Sequence, residues 1–136
     1  MEIGSGIIIF TKIIPLLKGN GFPSMTIERI LFMKNICIEK IWYEFLEIQS
    51  PVDHFDCNSD VIFELNDGSK WVATFFTYKN IETLRKKNQL TGECLNGTYF
   101  CATDMILISE MSEKIIKAVL DEMISNDEIE IYCQKL

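Results

Sequence analysis

At 136 residues and 15.7 kDa, with 48% hydrophobic, 11% aromatic and 24% charged residues, the chain has room for one ordinary globular domain and not for a second. Thirteen Lys and Arg against twenty Asp and Glu give a net charge of -7, which works against a non-specific grip on nucleic acid or on an anionic membrane and favours a basic protein partner. A domain of this size buries roughly 65 to 70% of its extended surface, so its core needs neither a disulfide nor a metal to hold it.

The first 32 residues differ from the rest. Gly6 to Leu17 is apolar, but Glu2 stands where a signal peptide has its basic region, Lys12 interrupts the run, no small-residue cleavage site follows, and the stretch is too short to span a bilayer. Two readings stay open: residues 1–32 as an extension ahead of the true start, or a buried strand around Gly6 to Ile14. The first is preferred. Glu28-Arg29 can be encoded by GAA-AGG, a purine run resembling a ribosome-binding site, and the three codons of Ile30 to Phe32 set it at a suitable distance from Met33. Residues 33–136 hold ten basic and eighteen acidic side chains, a balance of -8, so the acidic character belongs to that region.

In chain order, Ile38, Ile41, Trp42, Phe45 and Ile48 fall at helical spacing between charged residues, which predicts an amphipathic helix over 35–48 that Ser50-Pro51 ends. Val52 to Ser59 reads as a loop. Val61 to Leu65 and Lys70 to Tyr78 flank Asn66-Asp67-Gly68, the signature of a three-residue hairpin turn. In that register Val61, Phe63, Leu65, Trp71, Ala73 and Phe75 share one face and Glu64 meets Lys70, while Ile62, Val72 and Phe76 imply at least partial cover on the other. Asn80 is the expected N-cap of a helix through about Asn88, closed by Gly92. Thr98 to Ser109 reads as a central, doubly covered strand because Met105-Ile106-Leu107-Ile108 is unbroken. Ser112 should cap a helix with Met111 stapled to Ile116 and a stripe of Ile115, Ile116, Val119, Leu120, Met123 and Ile124. Asn126 and Asp127 break it, and Ile129, Ile131 and Cys133 alternate like an edge strand. The order predicts a single small α+β domain, a mostly antiparallel sheet with two or three packed helices.

Chemistry is sparsely signalled. Five cysteines with no Cys-x-x-Cys pair point to reduced thiols and a cytoplasmic setting. Asp53, His54, Asp56 and Cys57 are the one cluster of nucleophile or ligand types, yet a single histidine supplies neither a base–nucleophile set nor a metal site, so no catalytic residue, metal or cofactor is assigned. No phosphate-binding loop or nucleophile elbow occurs. Arg85-Lys86-Lys87 reads as a solvated helix end, and Trp71, Phe75, Phe76 and Tyr78 as core aromatics. Asp104, inside an apolar strand, calls for a partner if buried, with Arg85, Lys79 or Thr77 as candidates.

The stretch Asp60 to Asn80, followed by Ile81-Glu82-Thr83-Leu84-Arg85, Thr91-Gly92-Glu93-Cys94 and Tyr99-Phe100, resembles small bacterial immunity-type proteins that neutralise polymorphic or contact-dependent toxins by binding them. The likeness spans about residues 60–125 and describes a strand, turn and helix. It implies a non-enzymatic, cytosolic, acidic α+β binder whose partner is a basic toxin domain. The candidate partner-binding residues are Asp121, Glu122, Asp127 and Glu128, within a segment from Glu110 to Glu130 that carries seven acids against Lys114 and Lys117, together with Tyr78 at the end of the hairpin and Asp104. Competing readings are a domain that binds a small ligand or a housekeeping protein, and a small enzyme using the loop from Asp53 to Cys57.

Overall fold

In the computed structural model, which describes residues 35–136, the Asn66-Asp67-Gly68 turn takes the form its sequence demands. Gly68 has φ +84° and donates its N–H to Leu65 O at 3.0 Å, while Leu65 N–H reaches Ser69 O at 2.9 Å, a type I turn followed by a left-handed glycine. It joins β2 (Asn58–Leu65) to β3 (Lys70–Thr77) with Glu64 opposite Lys70 and Phe63 opposite Trp71. All six residues assigned to the inner face are buried.

The helix expected over 35–48 is instead β1 (Ile38–Tyr43), antiparallel to β2, followed by a 3-10 turn over Glu44–Glu47. A bulge explains the difference. Ile38 pairs with Leu65 and Lys40 with Glu64, so Glu39 is an extra residue, and the inward set becomes Ile38, Ile41, Tyr43 and Phe45. One inserted residue turned a period of two into spacing that imitates a helix.

β3 runs straight into α1 (Tyr78–Thr91), whose N-cap is Thr77 rather than Asn80: the Thr77 hydroxyl accepts from Asn80 N–H at 3.2 Å. Gly92 closes α1 as expected, at φ +84° with its N–H on Asn88 O. The next turn, α2 (Glu93–Gly97), is left-handed at Cys94, Leu95 and Asn96 and folds back on α1. Of the strand expected over 98–109, β4 occupies Met105–Ile108 alone. It pairs parallel with β3, its one partner among the described residues, so there it forms an edge, with Leu107 38% exposed.

Ser112 caps α3 (Glu113–Ser125) by accepting from Ile115 N–H at 3.2 Å, and Met111, Ile116 and Leu120 are buried. The helix ends at a left-handed Asp127 (φ +55°): Glu128 N–H bonds Met123 O and Asp127 N–H bonds Ile124 O, the Schellman pattern without a glycine. The expected terminal edge strand is instead a helical turn, α4 (Ile129–Tyr132), followed by β5 (Gln134–Lys135). Ile129 and Cys133 are buried four residues apart, as on a helix, while Ile131 is 67% exposed.

The result is a single α+β domain whose sheet has the order β1-β2-β3-β4. β5 also pairs with β3, at Trp71 and Val72, so β4 and β5 cover one side of β3 in two successive pieces. One face packs on α3 and α4. The other is partly covered, with Phe100 edge-on to Phe76 at 5.4 Å and the Lys70 ammonium 4.9 Å above the Trp42 ring. Residues 1–32 and the preferred start at Met33 lie outside the described residues.

Candidate functional site

The Asp53 to Cys57 loop is held by nearly every polar group it carries. Asp53 Oδ1 accepts from Phe55 N–H at 2.9 Å, and its other oxygen lies 3.7 Å from Lys79 Nζ. His54 is tied to Met111 twice, through its ring Nδ1 at 3.1 Å from Met111 O and through Met111 N–H to His54 O at 2.7 Å. Asp56 accepts from Asn80 Nδ2 at 2.9 Å and Thr83 Oγ1 at 2.7 Å, and these bonds hold its carboxyl below the usual range. Asn80 Oδ1 in turn accepts from Asn58 Nδ2 at 3.0 Å. Buried Asn80 is thus a junction between loop, strand and helix, a role the capping expectation missed.

Burial first, then Asp53 and Asp56, push the Cys57 thiol up. A cysteine nucleophile needs the opposite shift. Among the described residues no group of three or more His, Cys, Asp or Glu side chains is placed to hold a metal ion. The loop has the geometry of a clasp that fastens the start of β2 to the start of α1 and the approach to α3.

The cysteines of the described region are all free thiols. Cys37 and Cys101 are exposed, whereas burial and the nearby Asp104 push Cys133 up to about 12. With a thiol-reactive dye at pH 8, Cys37 and Cys101 are expected to react promptly and Cys133 only after denaturation. Prompt labelling of Cys133, read by mass spectrometry, would contradict its burial.

The acidic residues divide into two groups. Along α3, Asp121 pairs with Lys117 at 2.9 Å, Glu122 accepts from Asn126 Nδ2 at 3.2 Å, and Glu113 and Asp121 both act on the Tyr43 hydroxyl, which burial chiefly pushes up. At the far end, partial burial and then Glu130 push the Asp127 carboxyl up, and Glu128 N–H serves the helix terminus. No ion pair among the described residues reaches Glu110, Glu113 or Glu130.

Asp104 is a half-exposed residue just before β4, at φ +52°, with its carbonyl accepting from Thr74 N–H at 3.0 Å. Its expected partners are engaged elsewhere: Arg85 with Glu82, Lys79 with Asp53, and the Thr77 hydroxyl with Asn80 and Cys57. Tyr78 is 62% exposed, which removes it from the core aromatics; Trp71, Phe75 and Phe76 are buried as expected. The parallel register sets Tyr78 and Asp104 at opposite ends of β4, five residues and so roughly 17 Å apart at 3.3 Å per residue, so the six candidate residues do not form one patch.

Among the described residues no helix is long and apolar enough to cross a membrane. Compared with family models, curated proteins and solved structures, the chain finds no match.

Proposed function

We propose that the chain is a non-enzymatic, immunity-type binding protein that neutralises a basic toxin domain in the cytoplasm by occluding it. The observation that carries this reading is the acidic surplus from Glu110 to Glu130, seven acids against two lysines: Glu113, Asp121 and Glu122 lie on α3, whose buried side chains are Ile116 and Leu120, and the other four lie just before it or just after it. Acids kept off the apolar stripe serve solubility or a basic partner. The resemblance of residues 60–125 to immunity-type proteins favours the partner, and the clasp built from the Asp53 to Cys57 loop supports binding over turnover.

Opposite charges steer encounter, and salt weakens that steering because the Debye length falls from about 10 Å at 0.1 M to about 3 Å at 1 M. Co-expression with a toxin domain encoded beside this chain is expected to protect cells. Reversal of Asp121, Glu122, Asp127 and Glu128 to Lys should abolish protection and slow association by about tenfold or more at low salt. Protection that survives the four reversals removes this face from the reading, and no protection by the unaltered chain removes the immunity role for that toxin.

A further inference from the structure

We propose that the outer edge of β4 is a docking strip on which an extended, basic segment of a partner protein adds as a further strand. This rests on the reading of the chain as a binder of basic proteins and names a place and a mode that the acidic helix does not supply.

In a parallel ladder successive residues turn their main-chain groups to opposite sides. Thr74, opposite Met105, donates to Asp104 O, so Asp104, Ile106 and Ile108 address β3 while Met105 and Leu107 turn their N–H and C=O groups outward. No strand among the described residues pairs with that side. Proteins ordinarily blunt such an edge with a bulge, a charge or a proline. β1, the opposite edge, has a bulge at Glu39 and carries Glu39 and Lys40 within the strand. β4 is short, at four residues, but has none of these three devices: its sequence is Met-Ile-Leu-Ile, with Leu107 partly exposed.

The surrounding charge selects the occupant. The acids at the two ends of the strip are Asp104 and Glu110, and the one cation in the strands on the same side of β3 among the described residues is Lys135 of β5, drawn over the Trp71 ring at 5.7 Å. Asp104 immediately precedes the strand and Glu110 follows it by two residues. Asp104 also lies close enough to Cys133 to act on its thiol, at the end of the segment that carries Asp127 and Glu130. Two copies paired antiparallel through β4 would set Asp104 of one against Glu110 of the other, and each chain carries a charge of -7, so self-pairing is opposed. A strand with apolar residues at alternate positions, to meet Met105 and Leu107, and Lys or Arg between and beside them satisfies both the edge and its rim.

The test titrates the full chain with a short alternating Lys-Val peptide and with a Lys-Pro peptide of equal length and charge, which lacks half of the backbone donors. The expected result is a Lys-Val peptide that shifts the amide resonances of Met105 and Leu107 and slows their hydrogen exchange, with the Lys-Pro peptide about tenfold weaker. Leu107→Pro removes an outward donor and spares the β3 ladder, so it should weaken Lys-Val binding about tenfold with the melting temperature little changed. Should that variant unfold, Leu107→Lys must show the same loss and Leu107→Glu must not. Equal affinity for the two peptides, shifts confined to α3, or a concentration-dependent dimer joined at β4 would overturn the proposal. Toxin protection that survives Leu107→Pro while peptide binding is lost overturns this docking mode and leaves the proposed function standing. Peptide binding at β4 without protection against the neighbouring toxin does the reverse.

Discussion

Replacing Phe63 by Ala is expected to destabilise the domain by about 3 to 5 kcal/mol. Phe63 is fully buried at the centre of β2, with Ile41 opposite it on one side and Trp71 on the other, so the cavity left behind is walled by three strands and cannot collapse easily. For a domain of this length each kcal/mol moves the melting temperature by about 3 to 5 °C, and total stability is about 5 to 15 kcal/mol, so much of that stability would be lost. Phe55, 57% exposed in the clasp loop, supplies the contrast: Phe55→Ala should stay within about 0.5 kcal/mol. A thermal melt of both variants checks the pair, and equal effects would contradict the packing of β2.

Gly97→Ala is expected to be the more damaging of two substitutions at left-handed glycines. A Cβ at Gly97 would stand 2.6 Å from Arg85 O and 3.0 Å from Gln89 Cγ, and φ there is +73°. The left-handed backbone alone costs an L-residue roughly 1 to 2 kcal/mol, and the clash with the α1 backbone adds to it. Gly68→Ala isolates the first part, since Gly68 has φ +84° and nothing within 4 Å of an added Cβ. Gly97→Ala should therefore exceed Gly68→Ala by at least about 1 kcal/mol in denaturant titrations and speed hydrogen exchange in the second half of α1. Equal costs would mean that α2 is not seated against α1.

What the sequence made legible was local. The hairpin could be read because its turn residues dictate a register by themselves, and α3 because a cap, a staple and a stripe all agree. β1 was hidden by its bulge, which only the pairing with β2 reveals. α4 was hidden because Ile129, Ile131 and Cys133 alternate in sequence while burial follows a period of four. β4 looked central because an apolar run signals burial without saying how many neighbours a strand has. The same blindness applied to the candidate site. Acidic surplus is a property of composition and was visible, whereas the outward main-chain groups of Met105 and Leu107, the dispersal of Tyr78 and Asp104 to opposite ends of β4, and the junction at Asn80 depend on which segments meet.

Thr77 is completely buried and is at once the last residue of β3 and the cap of α1. Its hydroxyl holds Asn80 N–H and Cys57 N–H, each at 3.2 Å, and its own N–H holds Cys57 O at 3.1 Å. A strand that becomes a helix with no residue between them leaves Thr77 as the one place where the two could hinge, and these three bonds hold it. α1, fourteen residues and so about 21 Å long, is therefore joined to β3 through a buried, triply hydrogen-bonded residue rather than through a loop. Local opening of α1 is thereby coupled to the ladders that β3 forms with β2 and β4, so hydrogen exchange at the first turn of α1 should follow that of β3 rather than that of a fraying helix end.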